Sequence, residues 1–133
     1  MSEKKQYQLE YVVKASPKLL FNFLSSPSGL SDWFADDVNV NNQDKTLTFI
    51  WDGEENVAKI ASQRTNNYIK FEFLPRNEEE EDDPCWVEIR LEINELTQSV
   101  FIRITDYSDI EDEEEVNEIW ENNMHALKEI VGG

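Results

Sequence analysis

VNEIWENNMHALKEIV, residues 116–131, is the stretch on which the reading of this chain turns. At about 100° per residue, Val116, Ile119, Trp120, Met124, Leu127, Ile130 and Val131 fall within an arc of about 140°, one continuous helical face. Asn123 is the single polar residue inside that arc, and His125 points to the opposite side, toward solvent. Upstream, Ser108-Asp-Ile-Glu111 reads as a capping box, and Gly132 reads as a helix stop. A helix this long, with so wide an apolar face, needs a broad surface to lie on.

The preceding residues supply that surface. Residues 6–14 alternate as a first strand, with Leu9, Tyr11 and Val13 on one side. Ser16-Pro17 places an N-cap beside a helix-starting proline, and Leu19, Leu20, Phe23 and Leu24 follow at helical spacing over residues 17–25. Pro27, Ser28 and Gly29 break that helix, and Leu30 to Phe34 forms a second helical turn carrying Trp33. The period then becomes two. Val38 and Val40 mark one strand, and Leu47, Phe49 and Trp51 mark the next. Asp52-Gly53 is a two-residue type I′ hairpin signal that pairs Trp51 with Glu54, Phe49 with Asn56 and Leu47 with Ala58. Asn56, Ala58 and Ile60 therefore turn inward, as do Ile69, Phe71 and Phe73 in residues 68–74.

Pro75 and Pro84 bound a loop, and the next strand turns Val87, Ile89, Leu91 and Ile93 inward. A four-residue turn at Asn94 to Thr97 then pairs Leu91 with Val100, Ile89 with Ile102 and Val87 with Ile104, and sets Glu88 opposite Arg103. The order is one strand, two short helices, about six further strands and a long helix, with neither internal repeat nor linker. Hairpin connections make the sheet antiparallel, polar outside and apolar inside, and the last helix covers its inner face. That is a single α+β domain spanning residues 1–133.

Composition narrows the function. The 133 residues carry a formal charge of −17, which disfavours nucleic acid and anionic membranes because phosphates are repelled. The acid is concentrated: Glu78–Asp83 holds 6 acidic groups and the stretch from Asp109 to Glu121 holds 8, leaving 15 against 12 Lys and Arg elsewhere. The start, MSEKKQYQ, lacks the apolar core and cleavage site of a signal peptide, and no apolar run approaches a membrane span. The one cysteine, Cys85, excludes an internal disulfide framework and fits the cytoplasm.

VKASP (13–17) with the following LLFNFL, GLSDWFADDV (29–38), FIWDG (49–53) and IWENNMHALKEIVG (119–132) together resemble the START-like, or SRPBCC, superfamily. Within it the chain is most similar to the activator-of-heat-shock-protein-90-ATPase-like branch. The resemblance covers essentially the whole chain and consists of patterned apolar residues. It implies a helix-grip fold, in which a strongly curved antiparallel sheet of six to seven strands grips the C-terminal helix and leaves a cavity between them. Relatives bind lipids, sterols or hormones, act as cyclases or dehydratases, or serve as co-chaperone-like modules. No catalytic residue set of theirs maps onto this chain.

The residues themselves argue for binding over catalysis. The four glycines are too few and too scattered for a dinucleotide fingerprint or phosphate loop. One histidine and one cysteine cannot build a His/Cys metal cluster, and no cofactor is implied. Glu78–Asp83 lacks the ligand alternation and central glycine of a calcium loop, so it reads as a solvated, mobile loop. Acids at 109–115 complement the positive end of the helix dipole. The 15 aromatic residues are a generous supply for a two-layer core of this size.

Two binding readings result. In the first, a small hydrophobic or lipid-like ligand occupies a cavity lined by Trp33, Phe49, Trp51, Asn56, Phe71, Leu91, Ile102, Trp120, Asn123, Met124 and Leu127, with the two asparagines orienting its polar group. In the second, the acidic edge meets a basic protein partner. A cyclase- or dehydratase-type enzyme ranks third, because the inward positions offer few acid–base groups. A contiguous cavity of several hundred cubic ångströms favours the first reading, and a filled core with an exposed apolar patch beside the acidic loop favours the second.

Overall fold

The computed structural model describes residues 4–75 and 82–132. Strand β1 (Lys5–Val13) is followed by helices α1 (Pro17–Ser25) and α2 (Pro27–Trp33). Strands β2 (Asp37–Asn41), β3 (Thr46–Trp51), β4 (Glu54–Arg64), β5 (Tyr68–Phe73), β6 (Trp86–Asn94) and β7 (Ser99–Ser108) come next, then helix α3 (Glu113–Val131). All seven strands form one antiparallel sheet in the order β1-β7-β6-β5-β4-β3-β2, a continuous meander from β2 to β7 with β1 added beyond β7. The pair α1–α2 carries the chain from one sheet edge to the other. This is the α+β arrangement expected, with α3 laid across the inner face.

Local chemistry explains the short helices. The Ser16 hydroxyl accepts from the Leu19 N–H at 3.1 Å, with Pro17 at the first helical position. Ser26 repeats the device for α2, accepting from the Gly29 N–H at 3.0 Å beside Pro27. Gly29 also lets the two helices touch, since a Cβ there would lie 2.7 Å from the Asn22 carbonyl oxygen. The face of α1 that is buried is Leu20, Phe21 and Leu24; Leu19 is exposed and Phe23 half-buried, so the helix is rolled toward Phe21 relative to the expected spacing.

The Asp52-Gly53 hairpin forms in the predicted register, Trp51 opposite Glu54 and Phe49 opposite Asn56, with φ of 51° and 81° as a type I′ turn requires. A bulge in β4 between Ile60 and Ser62 bends the sheet.

The β6–β7 hairpin differs from expectation. Asn94 closes the strand pair opposite Ser99, so Leu91 lies opposite Ile102, Ile89 opposite Ile104 and Val87 opposite Asp106. The turn is Glu95–Gln98, held by the Asn94 side chain accepting from the Leu96 N–H at 3.1 Å and by Gln98 in the left-handed region at φ 59°. The shift of two residues preserves which side chains face inward but changes the charge pairs. Glu88 stands opposite Thr105 and bonds Arg90 at 2.6 Å, while Arg103 meets Glu10 and Glu92, each at 3.0 Å. Ile93, expected inside, is exposed at the sheet end.

Helix α3 starts later than the Ser108–Glu111 box implies. Ser108 still pairs with Lys5 as the last residue of β7, and Asp112 is the N-cap, accepting from the Glu114 N–H at 3.0 Å. Gly132 ends the helix in the left-handed conformation, at φ 77°. Most of the Glu78–Asp83 run lies outside the described residues. Its last member is not loose: Asp83 accepts from the Tyr107 hydroxyl at 2.8 Å and forms an ion pair with Lys4 at 3.8 Å.

Candidate functional site

Between sheet and α3 the chain packs an aromatic cluster centred on Phe34, the residue that caps α2 and is 4% exposed. Its ring meets Phe49 edge-on at 5.2 Å and Trp51 edge-on at 5.4 Å, and stacks on Trp120 at 5.6 Å. Trp33 and Phe71 complete the surround, at 5.3 and 6.3 Å. Such offset and edge-on contacts are each worth about 0.5–1.5 kcal/mol beyond the area they bury. The sequence reading nominated Trp33 and passed over its neighbour Phe34, although both end the same helical turn.

The inner tryptophans are tied down by their indole N–H groups. Trp33 donates to the Phe23 carbonyl at 2.8 Å and Trp51 to the Phe34 carbonyl at 2.7 Å. Trp120 donates to the carboxylate of Asp106 at 2.8 Å, joining α3 to β7 through a buried polar bond. Asp106 is the second residue the sequence reading missed. Its position in the 100, 102, 104, 106 alternation points it inward, but only the helix opposite reveals its partner. Burial pushes its carboxyl above the ordinary range; the Trp120 N–H and, more weakly, the nearby Ser108 hydroxyl pull it back. The Ser108 hydroxyl is itself buried without a well-aligned partner among the described residues.

Of the predicted lining residues, Trp33, Phe49, Phe71, Leu91, Ile102, Trp120, Met124 and Leu127 are all buried in one continuous core. Trp51 is half-buried against it. The two asparagines are not brought into that core. Asn56 is half-buried and its amide donates to the Glu54 carbonyl of its own strand at 3.4 Å. Asn123 is half-buried on the flank of α3, where Ile119 and Ile130 are exposed. The buried stripe of α3 is thus Val116, Trp120, Met124 and Leu127, an arc of about 80° instead of about 140°. Five depressions of about 400 to 500 Å³ lie on the outer face, along β1 and at the β6–β7 turn, and the aromatic cluster lines none of these five.

Outside the core, the acidic margin is a continuous feature. Asp109, Glu111, Asp112, Glu113, Glu114, Glu115, Glu118 and Glu121 are all exposed along the approach to α3 and its first turns. Next to them the Tyr7 hydroxyl donates to the Ile110 carbonyl, and it is held above the ordinary phenol range by burial and then by Glu113, Asp106, Asp112 and Glu111. His125 is 76% exposed and lies 3.2 Å from Glu129 on the far side of the helix. Among the described residues no group of three or more His, Cys, Asp or Glu is arranged to hold a metal ion. No helix among them is long and apolar enough to cross a membrane.

Comparison with known proteins bears on this arrangement. The profile of the START-like superfamily domain matches residues 1–133. The structure is similar to that of the Aha1 dimer from Colwellia psychrerythraea, with a TM-score of 0.76 at 20% identity, covering 96% of each chain. It is also similar to XoxI from Bacillus cereus, with a TM-score of 0.73 at 11% identity over 95% of this chain and 94% of that one. For CalU16 from Micromonospora echinospora the TM-score is 0.68 at 12% identity, over 96% of this chain and 76% of the other. At such identities the likeness establishes the fold. No curated protein matches the chain in sequence.

Proposed function

The chain belongs to the START-like superfamily, and from that premise we propose that it is a binding module that engages a basic protein partner through the acidic margin of α3. The observation that supports this reading is the aromatic packing of the interior. Phe34 lies between sheet and helix in ring contact with Phe49 and Trp120, and the surrounding tryptophans are each fixed by a hydrogen bond. The exposed carboxylates on and before α3 gain from the helix dipole, so their clustering costs the fold little while presenting a strong negative field.

A second reading, a small apolar ligand between sheet and helix, is supported by the ligand-binding character of the superfamily and by the half-buried amide of Asn123. Such a ligand would have to displace Phe34. Native mass spectrometry of protein purified from its own host separates the two. The partner reading expects the mass of the bare polypeptide, together with binding of lysine-rich peptides that weakens steeply with salt. A small molecule retained at one equivalent overturns it.

A further inference from the structure

Among the described residues, strand β1 ends the sheet with no neighbour on its far side, although it is nine residues long. Alternate residues of such an edge point N–H and C=O groups away from the sheet, where another strand can pair with them. The side chains tell the same story. On β7 the inward residues Val100, Ile102 and Ile104 are at most 1% exposed. On β1 the inward residues Tyr7, Leu9 and Tyr11 remain half-buried, each with one flank open. The opening is a trough between β1 and α3, formed by two depressions of about 420 and 410 Å³ that share Gln8, Leu9 and Asn117. The opposite edge, β2, is five residues long, and none of those five depressions lies against it.

From this we infer that β1 accepts an added strand from a partner protein, an extended segment with lysine or arginine at every second position, which lies in the trough against α3. The inference rests on the partner reading above and specifies how the partner is held. Main-chain hydrogen bonds to β1 would supply the pairing, as in other strand-addition complexes. The alternate side chains facing inward would run over Leu9 and Tyr11 toward Glu113 and Glu121, which line the trough from the helix side. Long basic side chains suit both surfaces, because their methylene stems cover apolar area while their charged heads reach the carboxylates. A second copy of the chain is a poor occupant. Two molecules of charge −17 joined at β1 would bring their acidic α3 margins together.

The test uses the intact protein and a synthetic nine-residue peptide with lysine at every second position and threonine between. Two further versions carry N-methyl groups on alternate residues, one in each phase, so that each blocks one edge of the peptide. Titration calorimetry should show binding by the parent peptide and its loss with one N-methylated phase only, and amide hydrogen exchange should slow within Lys5–Val13. Glu113→Gln with Glu121→Gln should weaken the parent peptide roughly tenfold, with a retained cooperative melting transition as the control for folding. Equal binding by both N-methylated phases, without protection of β1, overturns strand addition; if the Gln variant still binds less well, the acidic-margin reading survives that result. Binding that ignores the Gln substitutions, or no binding at low salt, overturns both. Sedimentation as a dimer with β1 already protected would assign the edge to a second copy and equally overturns the proposal.

Discussion

The two faces of the sheet both carry aromatic rings, but the rings are held by different forces. On the inner face Trp33, Trp51 and Trp120 surround Phe34, and every indole N–H has a protein acceptor. On the outer face Trp86 stacks on Tyr107 at 5.8 Å with the Lys70 ammonium 4.3 Å from its ring, and Arg90 lies 4.4 Å from the ring of Tyr68. The inner set is interlocked, so removing one ring strands several others. The outer set is a row of pairwise contacts open to water, where cation–π attraction is worth about 0.5–1 kcal/mol. The rings nominated from the sequence as a ligand-cavity lining all belong to the inner set, and Phe34, which packs at their centre, was not among them.

The contrast predicts a graded series of losses. Phe34→Ala should have the largest effect, about 3–5 kcal/mol, because the ring is 4% exposed and no neighbour can collapse into its place without leaving its own partner. Chemical denaturation measures this directly; a loss below about 1 kcal/mol would mean the cluster is loose enough to admit a ligand after all.

Asp106 is the polar exception on the inner face, and its effect depends on pH. Its carboxyl is raised above the ordinary value by burial, so the neutral acid suits the fold better than the carboxylate. The stability it contributes is complete below the unfolded value and declines as pH rises through the folded value. Asp106→Asn keeps an oxygen acceptor for the Trp120 N–H and removes that decline. The variant should melt above the parent at pH 7, and the gap should close on acidification toward pH 4. A variant that melts lower by the same margin at every pH would show that the charge itself holds the helix. Trp86→Ala, on the outer face, should cost only about 1–2.5 kcal/mol, the sum expected of one stacked ring and one exposed cation contact. A loss comparable to that of Phe34→Ala would erase the distinction between the faces.

Much of the fold was legible because its signals were local and mutually consistent. Ser16-Pro17 set the start of α1, and Asp52-Gly53 set a hairpin whose register follows from its two positive φ angles. The β6–β7 turn failed the same treatment because its left-handed residue is Gln98, not glycine, and its organising side chain is Asn94 at the strand end. Inward and outward positions survived that error, since a shift of two leaves a period of two unchanged; only the charge pairs of Glu88 and Arg103 were lost. The start of α3 was obscured by its own acids, any of which can cap, and β7 extends to Ser108 only because β1 is there to pair with it. The buried residues were therefore readable, but not their mutual fit. That Phe34 packs between sheet and helix and that Asp106 meets Trp120 are facts of three-dimensional packing, with no periodic trace in the sequence.

Asn123 lies between these two kinds of residue, and it gives the smallest and most discriminating prediction. Helical geometry puts it between Ile119 and Ile130 on the flank of α3, and both isoleucines are exposed. Its amide is half-buried and makes no hydrogen bond within the described residues, so replacing it leaves no orphaned partner. Leucine is also the better helix former, by about 0.5 kcal/mol on common scales. Asn123→Leu should accordingly stabilise the protein by about 0.5 kcal/mol, with unchanged affinity for a basic peptide bound on the opposite, β1 side of the helix. Paired melting curves and a peptide titration would check both parts. Destabilisation by more than about 1 kcal/mol would show that the amide serves the fold. A stabilised protein that had lost a small molecule retained by the parent would move Asn123 back into a ligand site, and the inner face with it.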